Sequence, residues 1–167
     1  VLHGPYSDKS LLRNVLAYHM GETTQRYTPR TQLCELYING DYRGVYMFTE
    51  KLKRDKNRVN IAKLRTNDIT GDELTGGYLF QIDRDDESTE LDGWWTNSSP
   101  GKFVAYHDPS YDELVDVQRQ YLRDYYTSFE KAMDGNQYRT NYSNFVDLDS
   151  WVDYFLFTEV ARLMERA

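Results

Sequence analysis

Hydrophobic positions change their period several times along the chain, and each change marks an element. Leu11, Leu12, Val15, Leu16 and Met20 fall on one helical face. Ser7 is placed to cap that helix, Asp8 to sit in its first turn and Gly21 to end it. The polar residues from Gly21 to Thr31, with Pro29 among them, form a connection. From Leu33 to Ile38 and again from Val45 to Phe48 the residues are mostly aromatic, aliphatic or β-branched around Asn39-Gly40-Asp41, which predicts a hairpin. Leu64 to Thr75, rich in Asn, Asp, Gly and Thr, reads as a loop. Gly76-Gly77 then precede a strand from Tyr78 to Ile82, and Trp94-Trp95 open a surface hairpin whose return strand is Lys102 to Tyr106. Leu114, Val117, Gln118, Tyr121, Leu122, Tyr125, Phe129 and Ala132 keep a helical period from Tyr111 to Met133, before Gly135. A last helix starts near Asp149 or Ser150 and carries Trp151, Val152, Phe155, Leu156, Glu159, Val160 and Leu163; its apolar density predicts deep burial.

Composition narrows the function classes. With 167 residues the chain suits one domain with its own core. A formal charge of -7 argues against general nucleic-acid affinity while allowing a local basic patch. No apolar run is long enough to span a membrane. The single Cys34 lies in a strand pattern, is expected to be a buried small hydrophobe, and leaves no internal disulfide to form. The chain begins at Val1 and stops inside a helical pattern, so the sequence is expected to be a piece of a larger protein.

The chemistry concentrates between Glu35 and Ile61. The second strand of the hairpin runs without a turn signal into Thr49-Glu50-Lys51, and Lys53, Arg54, Lys56 and Arg58 follow. A carboxylate at a strand end followed by cations is either a ligand-facing edge or a solvated face, and the pattern leaves both open. Asp83 and Asp85 form a candidate metal pair, since alternate residues of a strand share a side. An EF-hand reading starting at Asp83 fails, because Ser88 stands at the glycine position and Trp94 at the closing glutamate. His3, His19 and His107 show no metal-ligand spacing.

The order of helix, hairpin, basic connection, β-rich insertion and two long helices predicts an α+β fold. That order is also the arrangement of a two-lobed kinase-like fold, although several α+β folds share it. Four segments carry a resemblance: Asp8-Lys9-Ser10-Leu11-Leu12-Arg13-Asn14; Glu35 to Gly40 with Gly44-Val45-Tyr46; Thr49-Glu50-Lys51 with Arg54 to Val59; and Gly76-Gly77-Tyr78 to Asp83. Together they resemble the spore-coat protein H (CotH) kinase family over nearly the whole chain.

The resemblance implies an atypical protein-kinase-like two-lobed fold, here incomplete at both ends. Residues 1–50 would be part of the small lobe, 51–64 the hinge and basic connection, 65–109 a β-rich insertion and 110–167 part of the helical lobe. It also implies binding of ATP with Mg2+ and transfer of the γ-phosphate to Ser or Thr of protein substrates, on surface, secreted or spore-coat proteins of bacteria. Phe48, Thr49, Glu50 and Lys51 would lie along the adenine, with Glu50 free to pair instead with a basic residue outside the chain. The family's phosphate-binding lysine lies upstream of the residues present, and one of its metal sites lies downstream. Glu165 occupies the expected catalytic aspartate position with a longer arm. The chain alone is therefore expected to be inactive. A reading of another class is a non-catalytic surface-binding module, to which the aromatic Trp94-Trp95 region is suited.

Overall fold

The computed structural model describes residues 1–24, 26–83, 92–98, 100–136 and 138–161, with Asp83 and Ala161 described by backbone alone. It is an α+β chain that divides into two compact units. The first contains Val1–Val59 and, among the described residues of the last helix, Asp153–Ala161; the second contains Asn60–Val152.

In the first unit, β1 (Leu2–His3), β2 (Thr31–Ile38) and β3 (Asp41–Thr49) form an antiparallel sheet in the order β1-β3-β2. Asn39 (φ 53°) and Gly40 (φ 88°) make the two-residue mirror-image turn that the Asn-Gly pair predicts. Both strands are longer than the hydrophobic runs suggest. Past the turn Tyr37 pairs with Tyr42, but Leu36 pairs with Gly44, so Arg43 is an extra residue in β3. Gly44, at φ 102°, makes this bulge possible, and every later pair shifts by one.

Helix α1 (Arg13–Glu22) starts six residues later than the expected Ser7 cap. Leu11 takes a positive φ of 60°, which no helix can accommodate. Asp8 holds this entry in place: its carboxylate accepts from the Ser10 N–H (3.0 Å), the Ser10 hydroxyl (2.7 Å) and the Arg13 N–H (2.9 Å). Those bonds, led by the one from Arg13, lower the Asp8 pKa. The helix runs past Gly21 to Glu22, and none of its residues is buried. Cys34, expected in the core, is only half-buried.

The second unit is built on β4 (Leu79–Asp83), β5 (Gly93–Trp95) and β6 (Phe103–Asp108), antiparallel in the order β4-β6-β5. Central β6 is buried through Phe103, Val104, Ala105 and Tyr106. The stretch expected to be a loop contains a short helix, α2 (Gly71–Thr75). Helix α3 (Asp116–Asp134) is preceded by a separate 3-10 turn at Tyr111–Glu113, because Leu114 and Val115 are extended. Arg119 joins the two pieces, donating to the carbonyls of Tyr111 (2.9 Å) and Leu114 (2.5 Å). Leu64, Tyr106, Leu114 and Leu122 form the core, with Tyr78, Trp94 and Tyr111 packed around it. Each such large apolar side chain contributes about 1.5–3 kcal/mol by leaving water.

Buried Gln118 fixes the loop beside this core. Its amide donates to the carbonyls of Arg65 (2.6 Å) and Asp68 (3.1 Å), and its oxygen accepts from the Val115 N–H (3.2 Å). After the short α4 (Tyr138–Asn141) comes α5 (Leu148–Ala161). Its expected deep burial is overturned: Trp151, Val152, Phe155, Leu156 and Val160 are all about half exposed or more. Apolar density alone cannot bury a helix; facing elements must cover every side of it, and the described elements leave these residues largely exposed, with Phe129 of α3 meeting the Trp151 ring at 6.1 Å.

Candidate functional site

Position in the sheet explains the four residues at the end of β3. Alternation along the strand puts Phe48 and Thr49 on opposite faces. Phe48 is 56% exposed and pairs across the sheet with Leu2, itself 47% exposed, so the two make an apolar ledge. Thr49 faces inward at 8% exposure, and its hydroxyl finds no hydrogen-bond partner among the described residues.

Glu50 is held within the first unit. The shifted register sets it opposite Arg30, and the backbone ladder continues through them, with the Glu50 N–H donating to the Arg30 carbonyl at 3.1 Å. Its carboxylate then accepts from the Arg30 N–H (3.2 Å), the Arg30 guanidinium (2.5 Å) and the Tyr27 hydroxyl (3.4 Å), with Arg58 Nε 3.8 Å away. The basic partners of Glu50 are thus Arg30 and Arg58 of the same unit. Bonds from the Arg30 side chain and N–H, helped by the charges of Arg30 and Arg58, hold the Glu50 carboxyl down at about 2 from its usual 4.5. Burial, then the neighbouring Glu50 charge, pushes the Tyr27 phenol up.

A folded pKa below the unfolded one stabilises the fold above the unfolded value, and that stabilisation is lost as pH falls toward the folded value. The protection of the β2–β3 amides against hydrogen exchange, taken relative to their intrinsic exchange rate at each pH, is therefore expected to fall progressively from about pH 4.5 down to about 2. In Glu50→Gln that pH dependence disappears, while exchange at neutral pH is faster than in the parent. An unchanged acid profile in the variant would assign the effect to other carboxylates.

The peptide groups of the segment are less available than the side chains. Thr49 exchanges hydrogen bonds with Val1 (2.9 and 2.7 Å), and the Lys51 carbonyl accepts from Arg58 at 3.5 Å. The Glu50 carbonyl and the Lys51 N–H have no partner among the described residues. They belong to one trans peptide and point in opposite directions, so a single flat ligand can use only one of them.

Five cations follow in a closed turn. The Asp55 N–H donates to the Val59 carbonyl (3.1 Å) and the Arg58 N–H to the Asp55 carbonyl (3.0 Å), while the Asp55 side chain accepts from the Asn57 N–H (2.9 Å). Lys51, Lys53 and Lys56 stand exposed, without an acidic partner among the described residues. Arg54 and Arg58 are half-buried, and Arg58 is engaged with Glu50 and Lys51. The arrangement therefore separates three exposed ammonium groups from the half-buried Arg54 and Arg58, of which Arg58 is tied to Glu50 and to the Lys51 carbonyl.

Among the described residues no group of three His, Cys, Asp or Glu side chains is placed to hold a metal ion. Asp83 is described only as the last residue of β4; Asp85 and Glu165 lie outside the described residues. No described helix is long and apolar enough to cross a membrane. Arg30 and Tyr27 are the site residues that the sequence reading missed. Gly44 was the available signal, since a glycine inside a strand marks a bulge and the shift it causes replaces Pro29 by Arg30 opposite Glu50.

No curated protein and no solved structure gives a match to the chain. A family model described as CotH kinase protein matches residues 1–164, nearly the entire length. The chain belongs to the CotH kinase protein family.

Proposed function

We propose that the chain serves an ATP-dependent kinase that transfers the γ-phosphate to Ser or Thr of surface or spore-coat-type proteins, within a two-lobed kinase-like fold. Membership of the family carries this reading. The first unit supports it with a suitable chemical inventory. The Leu2–Phe48 ledge offers an exposed apolar surface on which a purine can stack. Either the Glu50 carbonyl or the Lys51 N–H supplies one polar contact to the base. Lys51, Lys53 and Lys56 offset much of the charge of a triphosphate as mobile point charges. Glu50 acts as a positioning residue, because its bonds to Arg30 and Arg58 fix the strand end and the start of the turn.

The three free ammonium groups fit a phosphate chain, and Asp83 and Asp85 are the carboxylates assigned to Mg2+. Bound Mg2+ would neutralise charge developing on the transferred phosphoryl group. Glu165 is assigned to the substrate hydroxyl. The non-catalytic reading has one specific observation in its favour: the Glu50 carboxylate is already engaged by Tyr27, Arg30 and Arg58 of its own unit.

Calorimetric titration of the whole protein with ATP in the presence of Mg2+ tests the proposal. Saturable binding is expected, weakened roughly tenfold by Lys53→Ala or Lys56→Ala if each contributes one charge-assisted phosphate contact. Phosphate transfer to a Ser- or Thr-bearing protein should fall in parallel. Failure of the whole protein to bind nucleotide would replace the kinase reading with the non-catalytic one.

A further inference from the structure

The loop joining β5 to β6 and the last turns of α3 enclose an open cavity of about 700 Å³ in the second unit. Asn97 and Ser98 line one side; Tyr126, Phe129, Glu130 and Asp134 line the other. Tyr126, Glu130 and Asp134 follow one another at four-residue spacing and so form a single row along the helix. Tyr126 is 9% exposed, yet its hydroxyl has no hydrogen-bond partner among the described residues, nor is it sealed from solvent. The Phe129 ring stands edge-to-face with Tyr126, their centroids 5.9 Å apart.

The charges of this cavity are unbalanced. Glu130 and Asp134 have no ion-pair or hydrogen-bond partner among the described residues, and Lys131, which also lines the cavity, bridges to neither. Both carboxylates also sit in the C-terminal turns of α3, where unpaired carbonyls already carry partial negative charge and a further anion is unfavourable. A cation in the cavity relieves all three features. It would pair with the two carboxylates, hydrogen-bond to the Tyr126 oxygen and lay its methylenes against Phe129 and Met133.

We infer that this cavity binds an organic cation, an alkylammonium or guanidinium group. The group belongs either to a free amine or to a lysine or arginine side chain of another protein. This inference is independent of the kinase reading, since its residues lie in the second unit and the nucleotide segment in the first.

Titration of the whole protein at low salt with cadaverine, with capped lysine amide and with a short lysine-containing peptide tests the site. Saturable binding is expected for at least one probe. Tyr126→Phe, Glu130→Gln and Asp134→Asn should each weaken it by roughly threefold to tenfold, at unchanged melting temperature. Asp124→Asn removes the same charge from an exposed α3 position outside the cavity and should leave affinity unchanged. Cadaverine binding as tightly as the peptide identifies a free amine; binding of the peptide alone identifies a protein side chain. Absence of saturable binding, or an equal loss in Asp124→Asn, overturns the inference.

Discussion

Gly77→Ala is expected to destabilise the second unit by about 2–5 kcal/mol, combining backbone strain with overpacking. Gly77 has a φ of 87°, and a Cβ there would lie 2.2 Å from the Ala62 carbonyl oxygen and 3.2 Å from the Leu64 nitrogen. Both obstacles are backbone, so neither can rotate away as a side chain would. The strain falls where Ala62 to Leu64 pass the entrance to β4, next to core residue Leu64. Thermal unfolding followed by far-ultraviolet circular dichroism should show a midpoint lowered by roughly 10 °C or more. Gly76→Ala supplies the control, because a Cβ there meets only the Ala62 methyl, at 3.8 Å. Equal midpoints for the two variants would show that the close approach at Gly77 is not maintained in solution.

Gln118→Ala should cost about 2–4 kcal/mol, since two carbonyls and one N–H lose their partner while a buried volume empties. Urea unfolding reads this as a lower midpoint at an unchanged slope. Gln118→Glu separates the hydrogen bonds from the volume. It keeps an oxygen for the Val115 N–H but turns a carboxylate toward the Arg65 and Asp68 carbonyls. That variant should be less stable than the alanine variant at neutral pH and recover in acid, where a protonated carboxyl can again donate. Its failure to recover would place the cost in packing alone.

Local signals in the sequence were read well, and long-range ones were not. Asn39-Gly40 fixed the hairpin because both residues accept positive φ, and the 3.6-residue period along Leu122, Tyr125 and Phe129 located α3. The start of α1 was misplaced because Asp8 and Ser10 bond to nearby N–H groups in a non-helical turn, a competition that hydrophobic periodicity does not register. Gln118 looked like one more helical position, although its partners lie about fifty residues earlier. For α5 the apolar residues were evident, whereas what would cover them is a property of other segments. The candidate site divides the same way: the basic run was legible, but the separation of Arg58 from the exposed lysines depends on Glu50. The partner of Glu50 depends in turn on the bulge at Gly44.

The division into units also sets how the protein can be observed. The chain has three tryptophans, Trp94, Trp95 and Trp151, and all lie between Asn60 and Val152. Trp94 is packed 5.2 Å from the Tyr106 ring with the Arg123 guanidinium 5.8 Å from its own ring, so its emission should change sharply when that packing opens. The first unit has no indole, and acid disruption of the Glu50 pairing will leave tryptophan emission largely unmoved. Intrinsic fluorescence is therefore a built-in, label-free reporter weighted to one half of the molecule. A Phe48→Trp substitution, on an exposed face, would give the other half its own optical signal.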